Sequence, residues 1–351
     1  MRKGVRRSGK QARKSRPTRL RAFRPNTKSG MWATGDISKT GIVFDADGTR
    51  VPHPIPYQGS KRNLSSQILS YFPNHISTLI EPFVGSGAIT LAAAVRGLAE
   101  NYHLNDLNAP LVELWRTIIE EPNKLAKKYE TIWHEQHADR REYYCEVRNE
   151  FNHTRKPHHF LYLLARCVKA SVRYNSKGEF NQSPDNRRMG AMPSTMRDHV
   201  LGASYLLRGK AKCTAEDYKT LVQRASAEDL VYMDPPYQGV SGDRDSRYLR
   251  GVPFDEFVEV LRDLNKRQIS YIVSYDGRTG DKIHGRTLPH TLQLKHIELA
   301  AGRSSQETLL GRTAVTYESL YLSPALEKRL GPSRTHCKAT VEQLVLLGAS
   351  R

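Results

Sequence analysis

The four residues Asp234-Pro235-Pro236-Tyr237 place a carboxylate, two prolines and an aromatic ring directly after an apolar run, Leu230-Val231-Tyr232-Met233. That run reads as a short buried strand. Neither proline has an N–H, so the turn cannot continue a sheet ladder, and its φ angles are pinned. The carbonyls of such a turn are left to accept hydrogen bonds from something other than the sheet. With Asp234 as a further acceptor and Tyr237 as a flat face, the set suits a planar substrate carrying an exocyclic amino group, such as adenine. A surface Pro-Pro turn is the competing reading of the same four residues.

A second constellation lies upstream. In Glu81-Pro82-Phe83-Val84-Gly85-Ser86-Gly87 a strand delivers a Gly-x-Gly turn into a helix, so that backbone can approach a ligand closely and a helix N-terminus faces it. The later glycine of a dinucleotide fingerprint is missing, and no Gly-Lys-Ser/Thr follows, so the turn is not a P-loop. Asp106 ends the next strand, where an acid can accept hydrogen bonds from both hydroxyls of a ribose. A ligand with adenosine but no polyphosphate fits, which points to S-adenosylmethionine. Still further upstream, Tyr57-Gln58-Gly59-Ser60-Lys61-Arg62 opens a helix over Asn63–Tyr71. Lys61 is placed to neutralise the cofactor's carboxylate and Tyr57 to pack on the cofactor.

The elements that must hold these residues read as α/β. Thr78-Leu79-Ile80 leads into the Gly turn, Ala88–Arg96 is a buried helix closed by Gly97, and Tyr102-His103-Leu104 is a second strand. Pro110–Ile119 is helical, with Leu111, Leu114, Trp115 and Ile118 on one face. A helix at Phe254–Lys266, a strand at Ser270–Val273 and an antiparallel pair, Leu292–Leu299 with Val315–Leu322, follow the tetrad. Between the two halves, residues 121–227 are rich in Tyr, His, Arg and Lys, helical at Phe160–Val172 and irregular over Tyr174–Asp198. The pattern predicts a doubly wound, Rossmann-like sheet with an inserted, mainly helical domain. The expected organisation is an arm at 1–30, a discontinuous catalytic domain at 31–120 and 228–325, the insert at 121–227, and a tail at 326–351. Residues 31–56 read as irregular with a short hairpin.

The net charge is +19, and residues 1–30 carry twelve Lys/Arg and no acid. The remaining body holds 43 basic against 36 acidic residues, which fits a polyanionic partner. The arm reads as a disordered segment in electrostatic contact with nucleic acid, with an organellar targeting segment as its rival. Cys145, Cys167, Cys213 and Cys337 are widely spaced, without a CxxC pair, so no metal site or disulfide framework is expected. No apolar run approaches the ~20 residues needed to cross a bilayer. A monomer in a reducing cytoplasm is expected.

In the order PYQGSK, EPFVGSGA, LNDLN, a long insert and DPPY, the chain resembles the alpha-class, Dam-like DNA adenine-N6 methyltransferases. The similarity extends through Arg173-Tyr174-Asn175-Ser176-Lys177-Gly178-Glu179-Phe180-Asn181 and covers about residues 54–323. Relatives often continue with Pro-Phe-Gly where this chain has Gln182-Ser183-Pro184-Asp185, which leaves its target sequence open. The resemblance implies Tyr57, Lys61, Asp106 and Asp234 as cofactor contacts, with Gly85 and Gly87 against the methionine part; Glu81 and Phe83 complete the set. Asp234, Pro235 and Tyr237 become the catalytic residues. They act on adenine in double-stranded DNA after the base is flipped out.

Asp234 and the Pro235 carbonyl would accept the two N6 hydrogens and aim the nitrogen lone pair at the methyl group. Arg173, Asn175, Lys177, Arg187 and Arg188 are the expected DNA contacts, with Arg166, Lys169 and Arg197 also able to reach phosphates. None of the four cysteines follows a proline, which excludes cytosine-C5 chemistry. Asp at the tetrad's first position argues against cytosine-N4 and protein-glutamine methylation. An RNA adenine methyltransferase and a DNA-binding protein with a relic cofactor fold remain alternatives. A bacterial or phage origin, nucleoid association and a cognate restriction endonuclease are implied by the family alone.

Overall fold

Short apolar runs bounded by turn residues form the central strands, Thr78–Glu81 and Leu230–Met233, because a parallel sheet covered on both faces needs no polar alternation. The computed structural model describes residues 43–44, 50–137, 139–236, 252–279, 282–303 and 315–331. Tyr237, the loop at 238–251, the arm at 1–30 and the tail beyond Gly331 lie outside the described residues. The strands are β1 Val43–Phe44, β2 Arg50–Val51, β3 Thr78–Glu81, β4 Asn101–Asn105, β5 Ala211–Thr214, β6 Leu230–Met233, β7 Tyr271–Thr279, β8 Lys282–His284, β9 Lys295–Arg303 and β10 Val315–Leu322. β1 and β2 form the small hairpin expected before residue 56.

The main sheet runs β5-β4-β3-β6-β7-β10-β9, with β8 beside the outer end of β7. β5 to β7 are parallel, and β10 lies antiparallel between β7 and β9. The chain steps outward from β3 to β5 on one side and from β6 to β7 on the other. The reversal between β3 and β6 is the topological switch point at which open α/β sheets bind ligands.

Alternate residues of the strands feed two cores. Ile80, Val231, Met233 and Val273 pack under α8 (Tyr218–Val222) and the amphipathic α9 (Phe254–Lys266). Leu79, Leu104, Leu230 and Tyr232 face the larger core with α1 (Ser65–Leu69), α2 (Ala88–Arg96) and α3 (Ala109–Glu120).

The helical segment is α4 (Pro122–Glu135), α5 (Arg140–Thr154), α6 (Pro157–Arg166) and α7 (Pro193–Leu207). Its Tyr129, Phe151, Phe160 and Tyr162 belong to the same core as Leu104 and Trp115, and sheet and helices fall in one compact unit. Several boundaries differ from the sequence reading. β5, inside residues 121–227, pairs with β4 at the sheet edge, so the helical segment ends before it. α6 stops at Arg166, six residues early, because Cys167 turns extended at ψ 158°, and Lys169 and Ala170 beyond it take positive φ angles of 58° and 50°. The stretch read as irregular to Asp198 gives way at Pro193, whose missing N–H costs nothing in a first helical turn.

Candidate functional site

The C-terminal ends of β3, β4, β5 and β6 open onto one cavity of about 660 Å³, a volume suited to a nucleoside-sized ligand. Tyr57, Lys61, Glu81, Phe83, Gly85, Asp106, Asp234 and Pro235 all line it. Of the expected cofactor residues only Gly87 is off the wall, and its function is different. A Cβ at Gly87 would stand 2.6 Å from Trp115 Cζ2. The Trp115 indole in turn donates its N–H to the Gly85 carbonyl at 3.1 Å. Gly85 itself, at φ 45°, turns beneath the Tyr57 ring. The Gly-x-Gly turn is thus shaped from below by a tryptophan on α3 and covered by Tyr57. Ser86 and Ser60 tie the two ligand-facing loops together at 2.8 Å.

Asp106 holds the Gly turn to β4: its carboxylate accepts the amides of Gly85 at 3.2 Å and Asn108 at 3.0 Å. Burial pushes the Asp106 carboxyl up to about 6, against the pull of those two amides. Asn108 also accepts the Tyr174 hydroxyl at 3.1 Å, which docks the helical segment onto the cavity rim. Glu81, at the end of β3, is buried and accepts both the amide and the hydroxyl of Thr90. Burial raises its carboxyl to about 8, so it keeps its proton near neutrality.

Lys61 is 7% exposed, with Nζ 3.0 Å from Asp234 Oδ1 and 3.6 Å from Glu318 Oε2. Burial works to neutralise this lysine, but the two carboxylates and Tyr232 outweigh it and hold its pKa above the usual lysine value. Lys61, expected at the cofactor's carboxylate, lines the cavity and pairs its ammonium with the carboxylates of Asp234 and Glu318. Glu318, on β10, was not foreseen.

Two further lining residues escaped the sequence reading. Asp217 and Tyr218 follow β5 as Asp106 follows β4, and the same strand-end logic would have found them had β5 been recognised. Tyr218 packs its ring 5.1 Å from that of Phe83. Tyr218 lines the cavity, and its buried hydroxyl has no hydrogen-bond partner among the described residues. A buried, unpaired hydroxyl, two ring faces and a ribose-type acid fit an adenosine. No group of His, Cys, Asp and Glu among the described residues could hold a metal ion.

The expected DNA contacts divide. Arg173, Lys177, Arg187 and Arg188 are exposed, the last two flanking Asp185 at 3.3 and 3.6 Å. Asn175 spends its side chain on its own turn, accepting the amides of Lys177 and Glu179 and donating to the Glu179 carboxylate. Arg166 is only 1% exposed and donates to the Asp185 carbonyl at 2.9 Å, so it is a core strut and not a phosphate contact. No helix among the described residues is long and apolar enough to cross a membrane.

Residues 57–302 match the family model described as D12 class N6 adenine-specific DNA methyltransferase. A DNA N-6-adenine-methyltransferase of Escherichia phage P1 is 29% identical over 233 residues, 63% of this chain but 29% of that protein's length. A DNA adenine methylase of Haemophilus influenzae is 28% identical over 63% of this chain and 78% of its own length. The type II methyltransferase M.MjaIII of Methanocaldococcus jannaschii is 26% identical over 52% of this chain and 68% of its own length.

Proposed function

The chain belongs to the D12 class N6 adenine-specific DNA methyltransferases, and from that premise we propose that it transfers a methyl group from S-adenosylmethionine to adenine N6 at specific sites in double-stranded DNA. The observation that carries this reading is Asp234, held by Lys61 at 3.0 Å, at the end of the cavity where the strand C-termini meet.

The cavity's residues divide the work. Asp106 accepts the ribose hydroxyls, Phe83 and Tyr218 offer ring faces to the adenine, and Tyr57 covers the Gly85 turn. S-adenosylmethionine bound there supplies a methyl group on a sulfonium. Asp234 and the Pro235 carbonyl accept the two hydrogens of the target amino group, drawing its nitrogen out of conjugation. Their dipole and charge stabilise the positive charge that grows on that nitrogen. Lys61 keeps the Asp234 carboxylate aimed, so little reorganisation is needed at the moment of transfer. Tyr237 is assigned the stacking face for the flipped base from its place in the tetrad.

Arg173, Lys177, Arg187 and Arg188 supply phosphate and base contacts from the helical segment. The similarity to M.MjaIII, a type II methyltransferase, supports the further reading that the chain is the modification partner of a restriction endonuclease. Labelled methyl transfer to duplex DNA, single-stranded DNA and RNA tests the substrate: incorporation into the duplex is expected to exceed the other two. Incorporation confined to RNA would overturn the assignment. Resistance of host DNA to one restriction enzyme after expression tests the modification role.

A further inference from the structure

The ladders of β3, β4 and β5 stop where the cavity begins. β3 pairs with β4 as far as Glu81 and Leu104, and β4 with β5 as far as Asn105 and Thr214. Past those points a single side chain takes over. Asn105 ends the middle strand, β4, and is 1% exposed. Its amide nitrogen donates to the carbonyls of Pro82 and Glu216, each at 3.0 Å. Its amide oxygen accepts the Glu216 amide at 3.0 Å and the Thr214 hydroxyl at 2.8 Å. All four hydrogen-bonding positions of the carboxamide are thereby used. The reverse orientation would set its oxygen against two carbonyls, so the partners fix the assignment. His103 Nε2 lies 2.9 Å from the Thr214 hydroxyl, whose own hydrogen is turned to Asn105.

These bonds fall on two short stretches of the cavity wall. Asn105 brackets Phe83: its side chain takes the Pro82 carbonyl, and its backbone carbonyl accepts the Val84 amide at 2.8 Å. It grips Glu216 by both N–H and C=O, one residue before Asp217-Tyr218. The Glu216 carboxylate is taken up by Arg224, at 2.7 Å on each oxygen, so the clamp works through the peptide groups. Pro82, Phe83, Glu216 and Tyr218 line the cavity, and Asn105 lies behind them. The Phe83 and Tyr218 rings meet at 5.1 Å with their planes 39° apart. We propose that Asn105 is a positioning residue of the cofactor cavity: by clamping the stretches before Phe83 and Tyr218 to the end of β4, it sets the joint aromatic wall on which the adenine of S-adenosylmethionine rests. The inference rests on the cofactor of the function proposed above, and not on its DNA substrate.

Titration calorimetry of the full chain with S-adenosylhomocysteine, the thioether product of the cofactor, tests it. Asn105→Ala should weaken binding by about tenfold, because both stretches of wall lose their clamp. Affinity for duplex DNA, read by fluorescence anisotropy, should stay at the wild-type value. In methyl transfer the variant should raise KM for S-adenosylmethionine by a similar factor and keep kcat within about twofold. A merely structural role would lower duplex affinity and kcat along with cofactor affinity; that pattern, or an unchanged thioether affinity, would overturn the proposal. Thr214→Val, which removes one of the four bonds and keeps the side-chain shape, is the second variant and should weaken thioether binding by about threefold. No loss there would also overturn it. A wild-type chain that binds S-adenosylhomocysteine yet methylates no duplex DNA would sink the proposed substrate, while the calorimetry still decides the role of Asn105.

Discussion

Trp115 occupies the space that a side chain at Gly87 would need: its Cζ2 lies 2.6 Å from the position of a Cβ on that glycine. The tight turn at the cofactor cavity therefore owes its glycine to a helix packed beneath it as well as to its φ of 59°. Gly97, at φ 63° with open space around it, separates the two effects. Gly97→Ala should cost about 1 kcal/mol, the left-handed penalty alone. Gly87→Ala should cost about 1–3 kcal/mol more, because the indole must move. Urea denaturation of the two variants measures the difference, and equal losses would show that Trp115 yields freely.

Cofactor affinity should depend on pH through Asp106. Burial raises its carboxyl to about 6, and only the ionised form accepts from two ribose hydroxyls. Affinity for S-adenosylmethionine should tighten as pH rises through about 6 and level off above it. Asp106→Asn should bind more weakly and lose this dependence. Calorimetry between pH 5 and pH 8 decides, and a flat wild-type profile would remove Asp106 from the ribose role.

Glu81 gives the opposite dependence, in stability. Its folded value of about 8 lies above the unfolded value of 4.5, so its contribution is complete below the unfolded value and lost as pH rises through the folded one. Glu81→Gln should therefore gain stability relative to wild type between pH 5 and pH 9. The difference in Tm between the two proteins, followed across that range, reads this directly. A constant difference would mean that Glu81 is ionised in the fold.

The two kinds of arginine in the helical segment should behave differently. Arg166→Ala should destabilise the fold by about 3 kcal/mol, because it orphans buried groups. Arg187→Ala and Arg188→Ala should leave Tm nearly unchanged and each reduce the salt dependence of duplex binding by about one phosphate's worth. Fluorescence anisotropy over a salt series, with melting curves alongside, tests all three. Equal salt slopes for wild type and both surface variants would move the DNA contact elsewhere.

What was legible in the sequence was local. The turns after β3, β4 and β6 announce themselves by residue type, because glycine, proline and a strand-end acid constrain backbone and hydrogen bonding wherever they stand. What was hidden depends on residues distant in the chain. Glu318 reaches Lys61 across 257 positions through a strand at the far side of the sheet. Trp115 reads as an ordinary core residue of an amphipathic helix until its indole meets the Gly turn. β5 is a four-residue edge strand with incomplete burial, so it carries no continuous apolar run, and with it Tyr218 went unseen. Arg166 misled because its type favours the surface, whereas the carbonyl of Asp185 pairs it inside.

The central claim is that Asp234 and the turn after it methylate adenine N6. Nucleoside mass spectrometry of duplex DNA, incubated with S-adenosylmethionine and either the wild-type chain or Asp234→Ala, tests it most directly. N6-methyldeoxyadenosine should accumulate with wild type and fall at least a hundredfold, roughly, in the variant, while both proteins retain the duplex equally. Unchanged accumulation with Asp234→Ala, or a wild-type product methylated on cytosine, would contradict it.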